Sequence, residues 1–234
     1  MAAKEETKIK FIADQIGQLQ ISEKISQLSV PDLPDFRVGL KSLVRELKER
    51  LLRNDVPLLG IKGMGGSGKT TLATVLCNGP QVKDHFKGRI VFGRVTQSPN
   101  LKELLERMWD KIVGGQRSAF QDIEDAHIQL QQRLRQMEPH PTLVVLDDVW
   151  EIDHLEKLLF KGEGYKTLIT TTNNIVVKYD CYRYDLPCLR EPDAVTLFCF
   201  SACDQEYIPK TADYNIVKLV IDACKGTFFW RKPL

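Results

Sequence analysis

Residues 60–74 read GIKGMGGSGKTTLAT, and residues 143–151 read LVVLDDVWE. The first stretch fits G-x-x-x-x-G-K-[ST] from Gly63 to Thr70, set between an apolar run, PLLGIK, and a helix-forming run, KTTLATVLCN. In this pattern the glycines let backbone N–H groups turn inward and approach phosphate oxygens that a Cβ would hold away. Gly63, Gly65, Gly66, Ser67 and Gly68 form that cradle. The helix beginning near Lys69 points its N-terminal partial positive charge at the same anion. Lys69 reaches the β- and γ-phosphates as a point charge, and the Thr70 hydroxyl ligates Mg²⁺. Thr71 adds a hydroxyl toward the α-phosphate. By average residue usage the bare pattern arises by accident in about one chain in a hundred of this length. The strand before it and the helix after it separate this occurrence from such an accident.

The second stretch supplies the acids. Asp147 stands at the end of a buried-strand run, where a carboxylate holds Mg²⁺ through water, and Asp148 is placed to orient or deprotonate an attacking water. Paired acids after a strand also occur as helix caps or solvated groups, and the cradle upstream favours the metal reading.

Outward from these motifs, strand and helix patterns alternate. RIVFGRV, TLVVLD, KTLITT and YRYDL read as strands beside PLLGIK. LKSLVRELKERLL, NLKELLERMWDKI, DIEDAHIQLQQRLRQM, a short stretch near DHLEKLL, PDAVTLFCFSAC and YNIVKLVIDAC read as helices. Leu43, Leu47 and Leu51 share one helix side, and Ile123, Ile128, Leu130 and Leu134 are expected core contacts. Continuous apolar strands separated by helices imply an α/β fold, a doubly wound five-stranded parallel sheet with helices on both faces. Trp109 and Trp150 are expected to pack in the core or near the bound nucleotide. Residues 1–30 form an expected amphipathic helix, 31–36 a proline-containing linker, 37–226 the phosphate-binding domain, and 227–234 a divergent tail.

Composition excludes other classes. The 234 residues carry 33 Lys and Arg against 31 Asp and Glu, a formal charge of +2, which argues for neither nucleic acid nor an anionic membrane surface as a partner. No run approaches the ~18 apolar residues of a membrane span. The N-terminus, MAAKEETKIKF, lacks a secretory apolar region, so the expected location is cytoplasmic. The six cysteines form no C-x-x-C pair and read as reduced, packed thiols. His85, His127, His140 and His154 do not cluster in sequence.

The ordered set GMGGSGKTTLA, LVVLDDVW, KTLITTT, YDLPCLREPDAVTLFCFSAC and CKG resembles the nucleotide-binding (NB-ARC) domain of plant intracellular nucleotide-binding leucine-rich-repeat immune receptors. The stretches VGLKSLVRELKERLL, SPNLKELLERMW and LFCFSAC look most like the helper class of those receptors. The resemblance covers roughly residues 36–226. It implies the AAA-like P-loop NTPase core with strand order 2-3-4-1-5. It also implies ADP at rest and ATP or dATP when active, exchange acting as a signalling switch in defence. Val38, in RVGL, matches the segment whose backbone contacts adenine, although Leu40-Lys41 follow where the family usually has Arg-Glu.

The chain departs from the family at three points. The sensor arginine after the fourth strand falls on Thr172, and a hydroxyl cannot supply its charge. After CKG the family's Leu-Pro-Leu is replaced by Thr227-Phe228-Phe229-Trp230. The remaining receptor subdomains and repeats do not follow, which reads as a truncation. Three functions are therefore weighed: an ADP/ATP signalling switch with slow or no hydrolysis, an adaptor pairing with other immune-receptor chains with structural nucleotide only, and a true ATPase or small-molecule kinase. The resemblance favours the first, with nucleotide and the other receptor domains as partners.

Overall fold

The computed structural model describes residues 28–114, 120–136, 141–160, 164–179, 181–210 and 212–224. The expected helix within 1–30 lies outside them save for its last residues, as does the tail 227–234. The first helix described is α1 (Lys41–Leu52), followed by β1 (Leu58–Lys62), α2 (Lys69–Asn78), α3 (Pro80–His85) and β2 (Ile90–Thr96). Then come α4 (Leu101–Ile112), α5 (Ile123–Arg135), β3 (Thr142–Val149), α6 (Ile152–Glu156) and β4 (Tyr165–Thr171). A 3₁₀ turn (Asn174–Lys178), β5 (Tyr182–Asp185), α7 (Glu191–Cys203) and α8 (Tyr214–Ala223) complete the order.

The strands form one parallel sheet in the order β2-β3-β4-β1-β5, as the resemblance implies. The reason lies in the strands' alternation. Within β3, Leu143 and Val145 join one buried cluster while Val144 and Leu146 join another. Successive strand side chains leave opposite faces, so an uninterrupted apolar run needs cover on both. One face is covered by Leu47 and Leu51 of α1, Leu72 and Leu76 of α2, and Val82 of α3. The other is covered by Leu104, Leu105 and Met108 of α4, and by Leu130 and Leu134 of α5.

Local signals start the covering helices. Asn100 Oδ1 accepts the Glu103 N–H at 3.2 Å, capping α4, and Asp122 Oδ1 accepts the Asp125 N–H at 2.9 Å, capping α5. In α4, Leu101, Leu104, Leu105 and Met108 recur at i, i+3, i+4 and i+7 and are all buried. Trp109 follows in the core, edge-on to Phe120 at 5.5 Å between ring centroids.

Ile128 corrects the sequence reading: it is 49% exposed rather than a core contact. It stands two residues before Leu130, about 200° around the helix, so the turn that buries Leu130 and Leu134 directs it outward. Ile123 packs partly on the core as expected.

Lys166, buried in β4, donates through Nζ to Leu51 O at 2.9 Å and to Arg53 O. A cation at the last carbonyls of α1 is matched to the helix's negative end. It ties α1, whose first turn lines the functional cleft, to the centre of the sheet. Phe36 stacks on Phe200 of α7 with centroids 4.0 Å apart. Helices α7 and α8 pair through Ala194, Val217 and Ile221. Among the described residues no helix is long and apolar enough to cross a membrane.

Candidate functional site

The turn between β1 and α2 is built by glycine geometry. Gly63 N–H donates to Thr171 O at 3.2 Å, which pins the loop entrance to the end of β4. A Cβ on Gly63 would stand 2.8 Å from Ser67 Oγ and 3.2 Å from Leu186 O, so a side chain there would crowd both neighbours. Gly68, with φ +91°, is in the left-handed region and opens α2 without a side-chain cap. The first N–H groups of α2 therefore have no intrahelical acceptor and point from the cradle.

Lys69 is 8% exposed, and its Nζ donates to Gly63 O at 2.9 Å and Met64 O at 2.8 Å. Burial lowers its pKa from the usual lysine value, while the charges of Asp148 and Asp147 oppose that shift. The ammonium is thus held across the cradle by two neutral carbonyls.

Asp147 is 1% exposed at the C-terminal end of β3. Thr70 Oγ1 donates to it, at 2.9 Å from Oδ1 and 3.1 Å from Oδ2, and Thr170 Oγ1 donates to Oδ1 at 2.6 Å. Burial raises its pKa above the usual carboxylate value, against the lowering effect of the Thr170 and Thr70 hydrogen bonds. Asp148 is half-buried with φ +62°, and its carboxylate lies 3.7 Å from the Arg94 guanidinium on β2.

The end of β4 is fastened to the end of β3. Thr171 Oγ1 donates to Val149 O at 2.7 Å and accepts the Asn173 N–H at 3.0 Å. Asn173 Nδ2 donates to Trp150 O at 2.7 Å. Thr172 stands half-buried just beyond β4, and the strand lies between β1 and β3.

Beside the cradle opens a cleft of about 710 Å³, lined by Gly39 to Arg45, Ser67, Leu186 to Arg190 and Asp193. Its volume lies within the ~300–1,000 Å³ range of small-molecule sites. Val38, the residue before this lining, is half-buried and is not part of it. Gly39, with φ +69°, leaves 3.1 Å between a would-be Cβ and Asp193 Oδ2, so a side chain there would strain the cleft wall.

The fold thus sets two hydrogen-bonded pairings side by side, Lys69 with the loop 63–68 and Thr70 with Asp147, with Asp148 following Asp147. Sequence reading missed Thr170, Arg94 and the wall from Leu186 to Arg190. For Thr170 a signal existed: the run of three threonines in KTLITTT ends the strand beside LVVLDD.

The residues fit a nucleotide phosphate chain and a hydrated divalent cation. A Cβ at Gly63 would crowd Ser67 and Leu186, and among the described residues the buried Oγ of Ser67, a residue that lines the cleft, has no hydrogen-bond partner. No three His, Cys, Asp or Glu side chains cluster as a protein-only metal site among the described residues. One hydroxyl and one carboxylate are what Mg²⁺ uses when water and phosphate oxygens complete its shell.

A parallel sheet in this order, with a glycine cradle between β1 and α2 and an acid pair on β3, defines a P-loop NTPase-type nucleotide-binding domain. Residues 40–207 match the NB-ARC domain, and the chain belongs to that family. It is 32% identical over 211 residues to the probable disease resistance protein At5g04720 of Arabidopsis thaliana, covering 89% of this chain and 24% of that protein. It is 35% identical over 196 residues to the probable disease resistance protein At4g33300 of the same plant, covering 83% and 23% respectively. The chain therefore spans roughly a quarter of the length of these relatives. Among solved structures it resembles Cdc6p from Pyrobaculum aerophilum, with TM-score 0.62, 16% identity, and coverage of 84% of this chain and 57% of that one. At that identity the likeness shows the fold alone.

Proposed function

We propose that the chain is the ADP/ATP-binding module of a plant disease-resistance protein and works as a nucleotide-dependent switch with slow or no hydrolysis. Two observations carry this reading, Lys69 bonded across the glycine loop and Thr70 bonded to Asp147 beside it, in a chain that belongs to the NB-ARC family. The backbone of Gly63, Gly65, Gly66, Ser67 and Gly68 cradles the phosphates, and Lys69 exchanges its two loop carbonyls for β- and γ-phosphate oxygens. Thr71 meets the α-phosphate. Thr70 and Asp147 hold Mg²⁺, which when bound neutralises phosphate charge. Asp148 orients water in whatever hydrolysis occurs. The adenine lies in the cleft beside Val38 and Gly39, against the Leu186 to Arg190 wall.

The partners in this account are the other domains of a receptor or other immune-receptor chains, in the cytoplasm. The outward apolar residues of α8, Ile216 at 61% and Leu219 at 68% exposure, support contact with further protein.

The nucleotide acts as signal when its γ-phosphate is read. Thr172 follows the strand that runs between the cradle strand and the acid strand, and carries no charge to read it with. Calorimetric titration with ADP and with ATP, both with Mg²⁺, tests this arrangement. The wild type is expected to bind both, and Thr172→Arg to raise the ATP-over-ADP affinity ratio about tenfold, the lower end of a charge-assisted hydrogen bond. An unchanged ratio would remove Thr172 from the γ-phosphate position. Absence of binding to either nucleotide would overturn the function itself.

A further inference from the structure

Across the acid pair, β3 carries one residue more than β4. Leu146 lies opposite Ile169 and Val149 opposite Thr171, so Asp147 and Asp148 together face Thr170. Such a bulge leaves a residue outside the ladder and bends its strand. Asp148 takes the strain, with φ +62°, and its N–H needs an acceptor other than a strand carbonyl.

Thr170 Oγ1 is that acceptor, at 2.9 Å. The same hydroxyl donates to Asp147 Oδ1 at 2.6 Å. A hydroxyl has one proton and two lone pairs, so these two bonds use it in opposite senses and fix its rotor. Thr170 is 1% exposed, so water does not readily replace either bond. One side chain therefore sets the direction of the Asp147 carboxylate toward Thr70 and holds the backbone turn from which Asp148 emerges beside Arg94.

We propose that Thr170 is the positioning residue of the acid pair, whose hydroxyl closes the β3 bulge and aligns Asp147 with Thr70 as a two-point Mg²⁺ site. The inference rests on the nucleotide and Mg²⁺ reading above and adds a residue to it. Thr170 touches neither metal nor nucleotide; it acts through the carboxylate it orients and the amide it accepts.

The test is the Mg²⁺ increment in ADP affinity, measured by calorimetry in Mg²⁺ and in EDTA. Wild type and Thr170→Ser, which keeps the hydroxyl, are expected to bind ADP more tightly with Mg²⁺. Thr170→Val, isosteric without the hydroxyl, is expected to lose about tenfold of that increment while its affinity in EDTA stays within about twofold of wild type. Thr170→Ala, which cannot clash, is measured beside it and is expected to behave alike. Retention of the full increment in either variant lacking the hydroxyl overturns the proposal and leaves the Mg²⁺ assignment standing. Equal weakening in Mg²⁺ and in EDTA also overturns it, since that marks a merely structural residue. A wild type that binds ADP with no Mg²⁺ increment overturns the Mg²⁺ assignment and this proposal together.

Discussion

Lys69→Ala is expected to weaken ADP binding about a hundredfold, with little change in the melting temperature of the nucleotide-free chain. The buried ammonium donates to Gly63 O and Met64 O, so its charge already lies across the cradle. In the binding mode proposed above it exchanges these neutral carbonyls for anionic oxygens. Hydrogen bonds to charged groups contribute about 1.5–3 kcal/mol each, and a loss near 3 kcal/mol corresponds to roughly two orders of magnitude in affinity. The two carbonyls left behind belong to a loop bordering solvent, where Met64 is 55% exposed, and hydration satisfies them. Stability is therefore nearly independent of Lys69 while affinity is not. Calorimetry and a thermal melt on the same sample separate the two, and an unchanged dissociation constant would remove Lys69 from the site.

Leu168→Ala has the largest expected effect on stability. Leu168 is fully buried in β4, the middle strand of the five, and joins the cluster formed by Leu47, Leu51, Leu72 and Leu76 from the helices beside the cradle. Removing its three outer carbons takes away buried apolar surface and leaves a cavity that a central strand cannot collapse around. The loss is about 2–5 kcal/mol, and the melting temperature should fall on the order of 10 °C. The same substitution at Leu219, 68% exposed on α8, should shift it by no more than about 2 °C. Equal shifts at the two positions would contradict the placement of the core.

The architecture was legible because two independent signals agreed. The apolar runs of β1 to β4, alternating with helical patterns, read as strands covered on both faces, and the glycine pattern falls where β1 passes into α2. Strand order did not follow from periodicity; it came with the family resemblance. The spatial grouping of the site was less legible. Thr70 and Asp147 are separated by 77 residues, and only the parallel packing of β1 and β3 about β4 brings the hydroxyl 2.9 Å from the carboxylate.

Thr170 and Arg94 escaped sequence reading for a common reason: each depends on register. A one-residue bulge in β3 decides which threonine of KTLITTT meets the acids, and nothing local in LVVLDDVW announces it. Ile128 was misplaced by an apolar count that did not follow the helix turn, which carries Leu130 and Leu134 inward and Ile128 out. The cleft wall from Leu186 to Arg190 was invisible because its loop follows the edge strand β5, whose pairing with β1 brings it beside Ser67.

The proposed function requires that this cradle hold an adenine nucleotide. The most direct measurement is mass analysis of the nucleotide released when the purified chain is denatured, with Lys69→Ala treated in parallel. An adenine nucleotide, chiefly ADP, is expected from the wild type and none from the variant. Equal amounts from both, or none from the wild type, would contradict it.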